Sequence, residues 1–225
     1  MTSSPAIGLI DTGVNGPVVS ARRFWLASDG AAASGPSLPD AMGHGTVLAE
    51  LIRDRVPGCD LTCAQVFDQR GVASPLLVAC GIRWLLEAGV RVINMSFGLR
   101  ENRGVLAEAC AEAIAAGAIL VASTPAMGDP IFPASYPGVI KVTGDARCDF
   151  REVAVLDGER ADFGANPRLP TGRMIAGASV ATARITAELA AILCQEPALG
   201  NAAVLARLRS AARHRGPQTE HLDAR

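Results

Sequence analysis

Asp11, His44 and Ser179 lie far apart in the chain, and their side chains make up an acid, a base and a nucleophile. A serine hydroxyl is a weak nucleophile unless a neighbouring base accepts its proton. Histidine titrates near neutrality, so it can take that proton and return it to a leaving group. A buried carboxylate would hold the imidazole in the required tautomer. The three residues therefore predict acyl transfer through a covalent intermediate on Ser179, provided that folding brings them together.

Ser179 is predicted to lie in the first turn of a helix. Gly177 precedes it, and an Ala-rich apolar segment without proline or glycine follows at residues 180–193. The backbone N–H groups of a first helical turn have no partner within the helix and lie at the positive end of its dipole. The backbone N–H of Ser179 is thus a candidate oxyanion donor. The structural alternative is an N-cap, because serine is among the preferred capping residues.

The other two residues also stand at predicted element ends. The apolar run at residues 6–10 is typical of a buried strand, and Asp11 follows it directly. Ligands of α/β sheets bind beyond the carboxyl ends of such strands. His44 stands between Gly43 and Gly45 at the start of a predicted helix. The alternatives are that Asp11 caps a turn and that His44 is an ordinary core or surface histidine.

Further apolar runs predict alternating strands and helices. The predicted strands are 61–67, 90–98 (with a turn), 118–123 and 138–143, and the predicted helices are 47–55, 75–88, 104–116, 180–194 and 201–213. This alternation favours βαβ units around a parallel sheet. Residues 27–42 are rich in Ala, Ser, Gly and Pro and are predicted to form a loop. Because no repeat or linker divides the chain, we expect a single domain at 1–213 and a flexible polar tail at 214–225.

Composition excludes several classes of partner. The 225 residues include 21 basic and 22 acidic side chains, which argues against a nucleic acid or an anionic membrane as the partner. No apolar run approaches the roughly 20 residues that span a bilayer, and the first residues show no signal-peptide pattern. The six cysteines form no C-x-x-C pair, and only three histidines are present. These features predict free thiols, no metal site and a cytoplasmic location.

Five segments in this order resemble the subtilisin-like serine peptidases. Residues 11–13, 43–46 and 177–182 are similar to the three signature segments of that family, and their order of Asp, His and Ser is the order in subtilisin. Residues 92–98 resemble its substrate-binding strand, and residues 132–140 resemble the segment below its primary specificity pocket. The resemblance implies a three-layer α/β sandwich with a mostly parallel central sheet. It also implies hydrolysis of peptide bonds through an acyl-enzyme.

The same resemblance assigns roles to particular residues. Ser179 would be the nucleophile, His44 the general base and Asp11 the residue that orients it. Ser96, Phe97 and Gly98 would bind a specific protein or peptide substrate as an added strand. Ile131 stands where the family often has glycine at the pocket floor, which predicts a small residue on the acyl side of the cut. The resemblance implies no cofactor here, because the segments that form the family's common calcium site are missing or short.

The sequence also departs from the family's pattern. Ala126 occupies the expected place of the asparagine that donates to the oxyanion, which leaves the Ser179 backbone as a donor. The candidates to replace the asparagine are Thr124, Ser123, a backbone N–H near Met127, and Asn166 from another loop. Ala178 and Ala183 replace the common Thr and Pro around the nucleophile. We expect a small serine endopeptidase that removes a leader peptide during maturation, without an inhibitory pro-segment. The alternative is a non-catalytic, peptide-binding pseudoprotease that acts as a partner or chaperone in maturation.

Overall fold

A computed structural model describes residues 5–169 and 177–217. Within these residues, ten strands form one sheet and five helices pack on it. The strands are β1 (Ala6–Asp11), β2 (Ser20–Leu26), β3 (Ala32–Pro36), β4 (Asp60–Gln65), β5 (Val92–Met95), β6 (Ile119–Ser123), β7 (Ile140–Gly144), β8 (Val153–Val155), β9 (Phe163–Ala165) and β10 (His214–Arg215). The helices are α1 (His44–Arg55), α2 (Pro75–Glu87), α3 (Gly104–Ala115), α4 (Ala178–Gln195) and α5 (Asn201–Ala211).

The sheet is mostly parallel and has β1 near its middle. Its strand order is β10-β8-β9-β7-β6-β5-β1-β4-β2-β3, and only β2–β3 and β8–β9 are antiparallel pairs. Asp11 is in register with Gln65 of β4, and Ile10 is in register with Met95 of β5. The carboxyl ends of the three central strands therefore lie at one edge of the sheet, which places Asp11 beside the segment that begins at Ser96.

Helices cover both faces of the sheet, as the apolar pattern of the strands requires. Along β1, Ile7 and Leu9 point to the face that carries α1 and α4, whereas Ile10 packs with α2 and α3 on the other face. α5 joins α4 on the first face through Val204 and Leu208. The architecture is the predicted three-layer α/β sandwich with a mostly parallel sheet, which confirms the predicted fold class.

α1 and α4 run side by side in the same direction. Leu48 of α1 and Val180 of α4 belong to one buried cluster. Farther along, the guanidinium of Arg55 donates two hydrogen bonds to the carboxylate of Glu188, at 2.6 Å and 2.9 Å. Arg55 lies 11 residues beyond His44 in α1, and Glu188 lies nine residues beyond Ser179 in α4. At 1.5 Å per residue, these similar spacings put His44 and Ser179 at the same end of the helix pair.

The structure adds elements that the sequence did not predict, because β2, β8 and β9 stand in segments to which no element was assigned. β3 lies inside the predicted loop 27–42, because the antiparallel pairing with β2 makes a strand of a segment whose own composition favours turns. His214 and Arg215 form β10 on β8, so the sheet extends past the predicted domain end at 213. The rest of the predicted tail, residues 218–225, lies outside the described residues. Across residues 5–169 and 177–217, no helix has the length and apolarity needed to cross a bilayer.

Candidate active site

Asp11 and His44 form a direct hydrogen bond. The imidazole Nδ1 lies 2.7 Å from Asp11 Oδ1. The Asp11 side chain is only 1 % exposed, whereas that of His44 is 25 % exposed. The backbone N–H of Thr12 donates to the same Asp11 oxygen at 2.8 Å. A buried carboxylate thus orients the imidazole, and the opposite nitrogen of the ring stays available to a partner at the surface.

Gly45 allows the close approach that this hydrogen bond requires. A Cβ atom at position 45 would lie 2.2 Å from the backbone oxygen of Gly13 and 3.0 Å from Asp11 Cβ. No side chain fits in that space, so the first turn of α1 can rest against the end of β1 only with glycine there. Steric crowding against the end of β1 therefore explains why glycine follows His44 in the sequence.

Ser179 lies in the first turn of α4, as predicted, but it does not cap the helix. The N-cap is Gly177, whose φ of 95° lies in a region that favours glycine. Ser179 is consequently the second helical residue, and its hydroxyl donates to the backbone oxygen of Ser96 at 3.1 Å. The alternative interpretation of Ser179 as an N-cap serine is therefore wrong.

A buried chain of polar groups lies behind the nucleophile. The hydroxyl of Thr186 donates to Asn94 Oδ1 at 3.0 Å, and Asn94 Nδ2 donates to Ser96 Oγ at 2.9 Å. Ser96 Oγ then donates to the backbone oxygen of Ser179 at 3.1 Å. Asn94 and Thr186 are fully buried. This chain ties the end of β5 to the first turn of α4 and so fixes the backbone of Ser179.

The structure joins two members of the predicted triad directly and places the third at the same end of the helix pair. Among the described residues, no hydrogen bond links the Ser179 hydroxyl to His44, because that hydroxyl is bound to Ser96. A serine has three staggered χ1 positions, so rotation about one bond redirects its hydroxyl. The Asp11–His44 pair is therefore assembled, whereas the Ser179 hydroxyl donates to the backbone oxygen of Ser96 instead of to His44.

The surroundings of His44 raise its pKa. Burial alone lowers the pKa of the imidazole, but the hydrogen bond that His44 donates to Asp11 and the negative charges of Asp11 and Asp40 outweigh it, and the pKa rises above its ordinary value. The second carboxylate oxygen of Asp11, Oδ2, has an unusual environment. It is the one buried side-chain nitrogen or oxygen without a hydrogen-bond partner within the described part of the chain. Such an unpaired carboxylate oxygen in a native core is uncommon.

The predicted substrate strand lies beside this pair. Ser96 is buried, Phe97 is half-buried and Gly98 is exposed. Immediately after them, the backbone of Leu99 exchanges two hydrogen bonds with Phe132, at 2.7 Å and 2.8 Å. Gly98 therefore stands where an extended chain could continue the sheet edge, with residues 131–132 on its flank.

Ile131 fills the space next to Gly98. A Cβ atom placed on Gly98 would lie 2.2 Å from Ile131 Cδ1 and 3.1 Å from its Cγ1. The branched side chain thus lies directly against the backbone of the substrate strand. The effect of Ile131 on the space for a substrate side chain remains a prediction.

Position 126, the expected place of the oxyanion donor, carries an alanine, which has no side-chain N–H to donate. Ala126 is exposed and lines a cavity of about 520 Å³ together with Thr143 and Pro217. Thr124 is buried at the end of β6, and its backbone N–H is used in a bond to Val142 at 2.8 Å. Only its hydroxyl is left as the candidate donor. The side-chain N–H of Asn166 donates to the backbone oxygen of Cys148 at 2.8 Å, so this amide is already bound to another group.

Sequence reasoning did not select Asp40, Asn94 and Thr186, which support the site from behind. Asn94 carried a signal, because it stands in the segment 92–98 and a fully buried amide requires partners. Asp40 lies four residues before His44, in a stretch predicted as loop. Thr186 lies two helical turns beyond Ser179, in a segment that is rich in alanine and mostly apolar. Among residues 5–169 and 177–217, no group of three or more His, Cys, Asp or Glu side chains is arranged to hold a metal ion.

Comparison with known proteins identifies the family to which this chain belongs. A model of the subtilase family matches residues 2–224, and the chain belongs to that family of serine peptidases. It is 28 % identical to subtilisin DY of Bacillus licheniformis over 233 residues, which cover 93 % of this chain and 84 % of the relative. It is 34 % identical to a thermostable alkaline protease of Halalkalibacterium halodurans over 120 residues, which cover 48 % of this chain and 33 % of that longer protein.

Solved structures share the fold at low sequence identity. Sphericase superposes with a TM-score of 0.70 at 20 % identity, covering 93 % of this chain and 83 % of its own. The prenylagaramide maturation protease PagA superposes with a TM-score of 0.61 at 21 % identity, covering 84 % and 75 % of the two chains. The sheet and the helices around the site are thus those of a subtilisin-like protein.

Proposed function

We propose that this protein is a serine endopeptidase that cleaves a peptide bond of a specific protein or peptide substrate through an acyl-enzyme on Ser179. The observation that carries the proposal is the 2.7 Å bond between His44 Nδ1 and the buried Asp11 carboxylate. With Nδ1 bound to Asp11, the opposite nitrogen, Nε2, faces outward as the base. Rotation of Ser179 away from Ser96 would deliver its proton to that nitrogen.

The reaction would then follow two acyl-transfer steps. Ser179 Oγ attacks the substrate carbonyl while His44 takes the hydroxyl proton, and Asp11 stabilises the imidazolium that forms. The backbone N–H of Ser179, in the first turn of α4, donates to the developing oxyanion. The imidazolium gives its proton to the leaving amine. Water, deprotonated by His44, then hydrolyses the acyl-enzyme and restores Ser179.

A peptide library digested from a whole proteome tests the activity without a known substrate. The protein is incubated with the library, and mass spectrometry identifies new peptide termini. We expect termini that depend on Ser179 and that follow Gly, Ala or Ser, with Ser179→Ala as the blank. Identical peptide populations for the two proteins at high enzyme concentration would contradict the proposal.

Removal of a leader peptide during maturation is the biological role we favour. The fold is shared with PagA, which is a maturation protease. In size and cysteine content, the sequence also resembles the subtilisin-like protease that trims the small subunit of quinohemoprotein amine dehydrogenase. Six free thiols suit a reducing cytoplasm. Incubation with proteins encoded beside this gene should yield one new terminus after a leader segment, and random cleavage of all of them would contradict the role.

A non-catalytic peptide-binding protein is the second candidate. The Ser179 hydroxyl bound to Ser96 favours it, because a hydroxyl held there does not react. Such a protein would bind an extended peptide at residues 96–98 and leave it uncut. Binding of library peptides without any new terminus would select this candidate over the peptidase.

Specificity for a small residue is expected to depend on Ile131. Ile131→Ala removes the carbon atoms that press against Gly98, so a larger substrate side chain should fit. Each methylene group accommodated in such a pocket is worth about 1–3 kcal/mol, and we expect kcat/KM for cleavage after Leu or Phe to rise at least about tenfold. Ile192→Ala is the matched control, since Ile192 lies in α4 and packs against a different buried cluster from Ile131. Efficient cleavage after Phe, Leu or Lys by the unmodified protein would contradict this role of Ile131.

An oxyanion donor placed at position 126 is expected to accelerate turnover. Loss of one such donor costs about 10²–10³ in kcat in enzymes of this class, so Ala126→Asn should raise kcat by up to about 10²-fold. Ala126→Asp is the control, because its side chain has nearly the same shape and lacks the N–H donor. Equal rates for the two variants would show that position 126 does not face the oxyanion.

A further inference from the structure

Asp40 is a second buried carboxylate next to the Asp11–His44 pair, and it is 4 % exposed. Its Oδ1 accepts hydrogen bonds from the Thr12 hydroxyl and from the backbone N–H of Gly43, both at 2.9 Å. Its Oδ2 accepts from the backbone N–H of Thr46 at 2.9 Å and from the Thr46 hydroxyl at 2.6 Å. Four donors therefore converge on one carboxylate at the start of α1.

The carboxylate of Asp40 caps α1 from outside the helix. The N-cap residue is Gly43, which has no side chain to bind the unpaired N–H groups of the first turn. Asp40 binds the N–H of Thr46, and the Thr12 hydroxyl accepts from the N–H of Gly45 at 3.0 Å. A negative charge at the N-terminus of α1 also interacts favourably with the helix dipole. The orientation of the turn that carries His44 is thus set by Asp40 and Thr12.

Asp40 also determines how the Thr12 hydroxyl is used. That hydroxyl has one proton and two acceptors within reach, namely Asp40 Oδ1 at 2.9 Å and Asp11 Oδ1 at 3.2 Å. The shorter contact directs the proton to Asp40. Asp11 Oδ1 is then left to the backbone N–H of Thr12 and to the imidazole of His44.

The backbone of Asp40 is held as firmly as its side chain. Asn15 Nδ2 donates to the backbone oxygen of Asp40 at 2.9 Å, and the N–H of Asp40 donates to Asn15 Oδ1 at 2.9 Å. Burial tends to raise the pKa of the Asp40 carboxyl, but the bonds from Thr46, Thr12 and Gly43 outweigh it and lower the pKa. Asp40 is therefore ionised at neutral pH and fixed in place.

We infer that Asp40 is a positioning residue of this site, which locks the first turn of α1 and keeps a fixed negative charge beside the imidazole of His44. The inference rests on the proposed function for its catalytic meaning. Its charge stabilises the imidazolium, so Asp40 makes His44 a stronger base and stabilises the charged state that forms when Ser179 gives up its proton.

The other ionisable groups near His44 do not supply the same fixed, unpaired negative charge as Asp40. Asp11 lies on the same side and is the hydrogen-bond partner of the imidazole. On β4, burial, together with the charges of Asp11 and Asp40, raises the pKa of the Cys63 thiol, which stays neutral. On α4, the nearest charged residues in sequence to Ser179 are Arg184 and Glu188, and Glu188 is paired with Arg55 at the far end of α1.

The test is a titration of the His44 imidazole followed by NMR, in a Ser179→Ala background that prevents self-digestion. The chain has only three histidines, and His44→Gln assigns the signal. Asp40→Asn removes the charge and keeps the shape, so we expect the His44 pKa to fall by about one unit. Asp145→Asn is the matched control, because Asp145 is also a buried carboxylate but is paired with Arg147. It should leave the His44 pKa within about 0.2 units of the parent value.

The titration does not require catalysis, so its outcome is separate from that of the proposed function. Equal His44 pKa values in Asp40→Asn and Asp145→Asn would overturn the inference, even if peptidase activity is confirmed. In the active protein, the acid limb of kcat/KM should move to lower pH in Asp40→Asn, because with a lower pKa more acid is needed to protonate His44. kcat should fall as well, since the imidazolium is less stabilised.

Thr46→Val supplies a second test should Asp40→Asn fail to fold. This variant keeps the shape of the side chain and the Asp40 charge, but it removes the 2.6 Å bond to the carboxylate. We expect the Nδ1 proton of His44 to shift upfield as the turn loosens and its bond to Asp11 weakens. Thr46→Ser should restore the parent signal. A signal unchanged in Thr46→Val would overturn the inference.

Discussion

Replacing Ser179 by alanine is expected to lower kcat about 10⁶-fold while leaving peptide binding unchanged. Loss of a triad nucleophile has an effect of that size, because the remaining groups only bind and polarise the substrate. The variant loses one hydrogen bond, from the hydroxyl to Ser96, so the free energy of unfolding should change by only about 1 kcal/mol. Single-turnover kinetics measure the rate of cleavage, and calorimetric titration with a peptide from the library measures peptide binding.

A serine outside the site provides the control for this result. Ser34 is exposed on the edge strand β3, and Ser34→Ala should cleave peptides at the rate of the unmodified protein. Cleavage by Ser179→Ala at more than about a hundredth of the normal rate would mean that another residue forms the acyl-enzyme, since oxyanion stabilisation and substrate binding alone cannot leave so much activity.

Replacing His44 by alanine is expected to have nearly the same effect as replacing Ser179. The base and the nucleophile act in one step, so their losses do not add, and the double variant should be no slower than either single one. The same variant removes the imidazole through which α1 binds Asp11. Kinetics of the two single variants and the double variant, with folding checked by circular dichroism, form the measurement.

His214 offers a matched control in an edge strand of the sheet, away from the Asp11–His44 pair. It belongs to β10 and lies 3.3 Å from the carboxylate of Glu152. His214→Ala should keep full activity. A double variant of Ser179 and His44 that is slower than Ser179→Ala by a further factor of about 10³ would show independent action of the two residues and would contradict a shared proton-transfer step.

The sequence was sufficient to predict the layers of the fold, because the central strands are buried on both faces and read as continuous apolar runs. Residues 6–10 and 118–123 are such runs, and the helices between the strands carry clear apolar faces. β3 was missed because Ala32–Pro36 has no β-branched residue, and only its partner β2 makes it a strand. β10 was missed because two polar residues carry no periodic signal.

The site was predictable for the residues that perform chemistry and less so for those that support them. Asp11, His44 and Ser179 stand in glycine-containing motifs whose glycines have local steric reasons, as Gly45 shows at the end of β1. Thr186 acts through a contact with Asn94, which is distant in sequence, and the Ser179 hydroxyl likewise contacts the distant Ser96. Asp40 receives three of its four hydrogen bonds from the nearby Gly43 and Thr46, but it lies in a stretch whose composition predicts only a loop.

Reaction with a fluorophosphonate, followed by mapping of the modified residue, tests the central claim most directly. The reagent forms a stable bond only with a serine that a neighbouring base activates. We predict one adduct per molecule, on Ser179, with no adduct in Ser179→Ala and a strongly reduced rate in His44→Ala. An unmodified Ser179 under conditions that label a serine peptidase, or an adduct that persists in Ser179→Ala, would contradict the account.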